Sequence, residues 1–210
     1  MEIVERSDTS SVSTLTMNAP SRLNALSDEM LAALQSHFDA LAGDQSIRAI
    51  LIKGEGNAFC AGHDLKQMTQ GRQSPDGGRA YFKDLFNRCA HMMQSIQKLP
   101  QPVIAQVHGI ATAAGCQLVA TCDMAIAAHG TRFGVNGVNI GLFCSTPMVA
   151  LSRNIHRKKA FEMLSTGRFI ETDEALAVGL INQAVSGEQL DQCAIELART
   201  VASKLAVAVK

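Results

Sequence analysis

Two short apolar runs constrain the fold more than any other feature of this chain. "RAILIKG" (48–54) and "PVIAQVHG" (102–109) are nearly continuous in apolar residues, too short for helices, and each leads into a glycine-containing loop and then helical sequence. A run without polar alternation reads as a strand buried on both faces, the signature of parallel sheet covered by helices. Other segments fit the same alternation. "SVSTLTM" alternates as a strand, and Ser27 should cap a helix with Asp28 and Glu29 in its first turn, ending at Gly43. A long helix is predicted over 81–99, a short one over 114–122, strands at "DMAIAA" and "TRFGV", and helical sequence over 145–165. Thr172 is expected to cap a short helix ending at Gly179, and a final helix to run over 190–209. "GRQSPDGGR" (71–79) reads as a polar, mobile insert. The prediction is one α/β domain with a parallel sheet.

The bulk numbers exclude several partners. Nineteen basic residues balance nineteen acidic ones, which argues against nucleic acid or an anionic membrane. No uncharged apolar run reaches the roughly 18 residues of a membrane span. The first residues, acidic and without a continuous apolar core, do not read as a signal peptide. Arg153, His156, Arg157, Lys158 and Lys159 read as a solvated helix face, with an anion-binding patch as the alternative. The six cysteines form no C-x-x-C pair and several lie in apolar runs, so buried, reduced thiols are expected rather than disulfides or a zinc site.

Familiar catalytic signatures are missing. "GEGNAF" begins like a dinucleotide loop but has Phe59 at the third glycine position, and there is no phosphate-binding loop, G-x-S-x-G or H-E-x-x-H. Two strand–loop–helix segments stand out instead. In "FCAGHDL", Gly62 permits a sharp turn that would turn the His63 amide outward. In "GIATAAGCQL", five of seven consecutive residues are Ala or Gly, and Ala114 would open a helix. Unpaired amides at helix N-termini favour a negative oxygen, and two converging on one carbonyl make an oxyanion hole. Close packing of a helix on a strand accounts for either segment taken singly; their shared context favours function.

"LNAL", "FCAGHDL", "PVIAQVHGIATAAGCQLVATCDMAIAA", "RFGVNGVNIGLFCSTP" and "AFEMLSTGRFIETDEALAVGLINQAV" resemble, in order and over nearly the whole chain, the enoyl-CoA hydratase/isomerase (crotonase) family. The resemblance implies a spiral of ββα units with a C-terminal helical region, assembled as trimers or hexamers. Residues 1–190 would be the spiral core and 191–210 the start of that helical region, cut short. It implies acyl-CoA thioesters as substrates, no cofactor, no nucleic-acid or membrane partner, and a cytoplasmic location, or the mitochondrial matrix in a eukaryote. The oxyanion amides map to His63 and Ala114. Arg22, Leu23 and Ala25, with Ala61, Gly62, Asp64, Leu65 and Lys66, would cradle CoA, joined by Ala113 and Gly141.

The chain departs from the family where hydratases carry two glutamates, positions held here by Gln117 and Gly137. Positioned acid–base groups contribute about 10²–10⁴ each, so a poor hydratase is expected. Gln117 would orient substrate or a water, and Gly137 would leave room for a substituent or a bound water. Asp64 is expected to be a helix cap rather than a base. The His63 side chain either enters the pocket, titrating near neutrality, or faces solvent. Cys116 and Cys144 flank the expected pocket with no base beside them. The rival expectations are a non-catalytic acyl-CoA-binding or assembly protein and, more weakly, a nucleotide-binding domain.

Overall fold

The computed structural model describes residues 2–209. In chain order the elements are β1 (Val4–Thr9), β2 (Val12–Met17), α1 (Asp28–Ala42), β3 (Ala49–Gly54), α2 (Leu65–Gly71), α3 (Arg79–Lys98), β4 (Val103–Val107), β5 (Ile110–Thr112), α4 (Ala114–Thr121), β6 (Met124–Ala128), β7 (Arg132–Gly134), α5 (Ser145–Asn154), α6 (Arg157–Thr166), β8 (Phe169–Glu171), α7 (Thr172–Ala177), β9 (Gln183–Val185) and α8 (Leu190–Ala202). They form an α/β fold with a six-stranded sheet, ordered β1-β2-β3-β4-β6-β9, and a three-stranded sheet, ordered β5-β7-β8.

The apolar runs are strands because both faces of the large sheet are covered. Ile50 and Ile52 of β3 face a core that includes Leu34 and Phe38 of α1 and Met92 and Ile96 of α3. Ala49 and Leu51 face the other way, onto Leu190, Ala194 and Ala198 of α8. From β2 onward this sheet is parallel, but β1 pairs antiparallel with β2. That edge strand carries no apolar run: within it only Val4 is buried. Strand β5 pairs parallel with β7, and β8 closes the small sheet antiparallel.

Several expected boundaries shift, each for a local reason. The helical stretch over 145–165 breaks into α5 and α6 where buried Ile155 turns extended, and Asn154 ties the end of α5 to the Ala120 carbonyl (2.8 Å). Thr172 does not cap. It is the first helical residue of α7, with its hydroxyl donated to the carbonyls of Ala128 and Thr131. The last helix stops at Ala202 rather than 209, because burial stops: Ala198 is fully buried, whereas Leu205 and Val207 lie in solvent. The 71–79 insert is a run of hydrogen-bonded turns, in which Asp76 accepts from the amides of Gly78 and Ala80. The cysteines are free thiols, five buried and Cys193 half-buried. Among the described residues no helix is long and apolar enough to cross a membrane, and no cluster of side chains suits a metal ion.

Candidate active site

The site is assembled by strand register. After β3 the chain turns back and runs beside β5. Phe59 N donates to His108 O, Cys60 N to Ile110 O, and Thr112 N to Cys60 O (3.0–3.2 Å). This parallel bridge of Cys60 with Ala111 carries Gly62 to the start of α4. Gly62 adopts φ +86°, and a Cβ there would lie 2.9 Å from Ala113 Cβ and 3.2 Å from the amide nitrogen of Ala114. The two segments singled out by their small residues are therefore in contact. Ala113 precedes α4 in a conformation rare for a residue with a side chain (φ 51°, ψ −119°), held by its own amide on the Gly134 carbonyl at 2.8 Å. Such backbone strain persists only where the surroundings over-determine it. Among the described residues, neither the His63 nor the Ala114 amide donates to a backbone carbonyl or a side chain. Helix α4 also has no side-chain N-cap, so its first turn keeps its free donors.

The 22–25 loop docks on the same turn. Ala61 N donates to Leu23 O and Leu26 N to Gly62 O (3.0 and 2.7 Å). Arg22 and Leu23 are exposed and Ala25 is buried; the Arg22 guanidinium lies 3.7 Å from the Asp64 carboxylate. Asp64 is the N-cap of α2, accepting from the amides of Lys66 and Gln67, as the sequence led one to expect. Leu65 and Lys66 lie on the outer face of that helix, lining a shallow groove with Thr69, Gln70 and Gln73. Thus Arg22, Leu23, Ala25, Ala61, Gly62, His63, Asp64, Ala113 and Ala114 are brought together. Gly141 is exposed and ends the 3₁₀ turn of Asn136–Ile140, which joins β5 through Thr112 and Asn136 (2.7 Å).

Gln117 and Gly137, the two positions at which the resemblance led one to expect glutamates, differ in their surroundings. Gln117 is 6% exposed, and its Oε1 has no hydrogen-bond partner. It lies one turn along α4 from Ala114 and lines a cavity of about 180 Å³ between α3, α4 and α5. Gly137 does not leave room for a substituent, and that expectation is corrected here. A Cβ at residue 137 would strike the Leu142 carbonyl oxygen and lie 2.8 Å from Cys144 Sγ. The loop is pinned in that place by Leu142 N on Gly137 O at 2.9 Å.

His63 is half-buried, and its side chain forms no ion pair among the described residues. Its ring meets Phe86 edge-on at 5.7 Å, and Nδ1 is buried without a hydrogen bond. Burial pushes the imidazole below its ordinary pKa, an effect opposed by the Leu26 carbonyl and Asp28 and reinforced by Arg88. Burial likewise pushes the Cys116 thiol up to about 12 and raises Cys144, so both are protonated, unreactive thiols near neutrality.

Two features escaped the sequence reading. Asn24 is fully buried and ties its own loop to the 55–58 loop: Oδ1 accepts from Ala19 N, and Nδ2 donates to the carbonyls of Glu55 and Ala58 (2.8–2.9 Å). An aromatic row, Tyr81–Phe82–Phe86, runs along the start of α3 to His63. The chain's one Tyr and two of its eight Phe fall within those six residues, and that concentration was the available signal.

Residues 7–210 match the model of the family described as enoyl-CoA hydratase/isomerase. The chain is 46% identical over 195 residues to enoyl-CoA hydratase domain-containing protein 3, mitochondrial, of Xenopus laevis, covering 91% of this chain and 65% of that relative. Among solved structures, an enoyl-CoA hydratase of Mycobacterium smegmatis superposes with a TM-score of 0.93 at 52% identity, over 99% of this chain and 79% of that one. Human enoyl-CoA hydratase domain-containing protein 3 gives 0.92 at 40% identity, over 99% and 80%. The chain thus spans a little under two thirds of the length of the Xenopus relative. The chain belongs to the enoyl-CoA hydratase/isomerase family, and its fold is the crotonase fold.

Proposed function

We propose that this family member is an acyl-CoA-processing enzyme that stabilises a thioester enolate between the backbone amides of His63 and Ala114, and that it is a weak hydratase. The observation that carries the reading is the contact between the Gly62 turn and the Ala114 amide, with neither the His63 nor the Ala114 amide donating to an acceptor among the described residues. Two preorganised donors aimed at a developing oxyanion act without reorganisation, and removing one typically costs about 10²–10³ in rate. Arg22, Leu23 and Ala25, with Ala61, Asp64, Leu65, Lys66, Ala113 and Gly141, would hold the CoA portion. No cofactor is needed for this chemistry.

Hydration requires a group that activates water and one that delivers a proton. Gln117 offers an amide that exchanges no proton near neutrality, and Gly137 has no side chain. Enolate-forming steps that need no protein base fare better. In decarboxylation of a malonyl-type thioester, the bond to the carboxyl carbon breaks and its electron pair moves onto the thioester oxygen. Carbon dioxide leaves, and a proton from water then completes the α-carbon. Two amide donors suffice to stabilise the charge at the oxygen.

A second reading is a non-catalytic acyl-CoA-binding protein, favoured by the packed Leu142–Cys144 loop over Gly137, which closes one carboxylate position. Assembly as a trimer or hexamer, the division into residues 1–190 and 191–210, and a cytoplasmic or, in a eukaryote, mitochondrial-matrix location belong to the same proposal. The Xenopus relative, named as mitochondrial, supports the last.

The test is a mass-spectrometric product assay with enoyl-, malonyl-type and saturated acyl-CoAs. Loss of carbon dioxide or release of free CoA is the expected result. Efficient gain of water would overturn the weak-hydratase reading. Binding without turnover of any thioester would establish the second reading instead.

A further inference from the structure

The cavity beside Gln117 combines an apolar lining with a few polar groups. Ala90, buried Met93, Val149 and Ala150 supply the apolar part, Gln117 and half-buried Thr146 the polar part with Gln94 and Gln97, and Arg153 also lines it. No acidic side chain lines it. Gln117 is the key member, being 94% buried by its 6% exposure with an unpartnered Oε1. A buried amide without a partner is costly, and nearly all such groups in folded proteins are satisfied. The amide can present either its oxygen or its NH₂, whichever its partner requires. Arg153 supplies the second observation. Like several other exposed cations, Arg153 forms no salt bridge among the described residues; its place in the lining of this cavity is what singles it out.

Resting on the acyl-CoA reading above, we propose that this cavity receives a carboxylate at the far end of a short acyl group, so that the preferred substrates are thioesters of dicarboxylic acids. The cavity begins three residues, about 4.5 Å along the helix axis, from the Ala114 amide. Its volume of about 180 Å³ is small, which suits a few carbons ending in a carboxylate better than a long hydrocarbon chain. One unpaired guanidinium matches one negative charge. The Gln117 NH₂ and the Thr146 hydroxyl are hydrogen-bond donors for the same group.

The experiment is calorimetric titration with glutaryl-CoA and pentanoyl-CoA, which have the same carbon count, on the wild type and on Arg153→Gln. Arg153 is exposed, so the variant is expected to fold; a thermal melt checks this. The expected result is glutaryl-CoA binding tighter by about tenfold or more, about 1.4 kcal/mol. That preference should fall to within about threefold in Arg153→Gln, while pentanoyl-CoA affinity stays unchanged. It should also survive in Arg153→Lys and weaken with added salt. Equal binding of the two thioesters, tighter pentanoyl-CoA binding, or a preference untouched by Arg153→Gln overturns this inference and leaves the acyl-CoA reading standing. Failure of both thioesters and of free CoA to bind overturns that reading as well.

Discussion

Gly115 of α4 lies flat against the backbone of Cys60: a Cβ at residue 115 would sit 2.8 Å from the Cys60 carbonyl carbon and closer still to its oxygen. The approach holds the first turn of α4 against the segment that ends in Gly62 and His63. Gly115→Ala must therefore push the helix away from the strand. The expected loss is about 1–3 kcal/mol of stability, read by urea unfolding, with weakened acyl-CoA binding. An unchanged midpoint and affinity would show that the approach is not needed.

The donor role of residue 63 separates from its side chain. His63→Pro removes the amide hydrogen and should lower turnover by about 10²–10³. His63→Ala keeps the amide and should stay within a few-fold of wild type. Equal turnover in His63→Pro and wild type, at matched folding by circular dichroism, would remove the amide from the mechanism.

Burial of the His63 ring has a pH consequence. Its folded-state pKa lies below the unfolded value of about 6.5, so below that pH the unfolded chain binds more protons than the native one. Stability should fall as pH drops through about 6.5 towards the depressed native value. In His63→Gln the denaturation midpoint should change less between pH 7.5 and 5.5. The same change in both proteins would place the pH dependence elsewhere.

Restoring a carboxylate at residue 137 should not restore a hydratase. Gly137→Glu must displace the Leu142 carbonyl and Cys144, at about 1–3 kcal/mol, or roughly 2–4 °C in Tm per kcal/mol for a chain of this size. Gln117→Glu should fold with a smaller loss, since the cavity already accepts a side chain of that length. Differential scanning calorimetry of the two variants tests the contrast, and a Gly137→Glu protein as stable as wild type would refute it.

Asn24 should prove as important as any residue of the site without touching substrate. Asn24→Ala loses three hydrogen bonds and leaves buried backbone groups unmatched. The expected cost is at least about 2 kcal/mol, with CoA affinity falling because the 22–25 loop loses its anchor. Chemical denaturation and titration with CoA read the two effects.

Much of the fold was legible because its signals are local. The unbroken apolar runs at 48–54 and 102–109 report burial on both faces, and Ser27 and Asp64 report helix starts through their own capping bonds. β1 was missed because an edge strand with one buried residue carries no hydrophobic pattern, and β5 and β8 because they are three residues each, whereas the equally short β7 was legible in "TRFGV". Asn24 in "LNAL" looked like loop, since its partners are near only in space.

By itself the sequence determined where backbone could be approached closely and which positions lack a carboxylate, because side-chain size and charge belong to each residue alone. The tertiary structure decided what those small residues are near. The Cys60–Ala111 register sets Gly62 against Ala114, and the fold of the Leu142–Cys144 loop fills the space that Gly137 was expected to leave open. Register and loop closure are relations between segments distant in the chain, and a one-residue slip would turn every side chain to the other face. No local pattern encodes them.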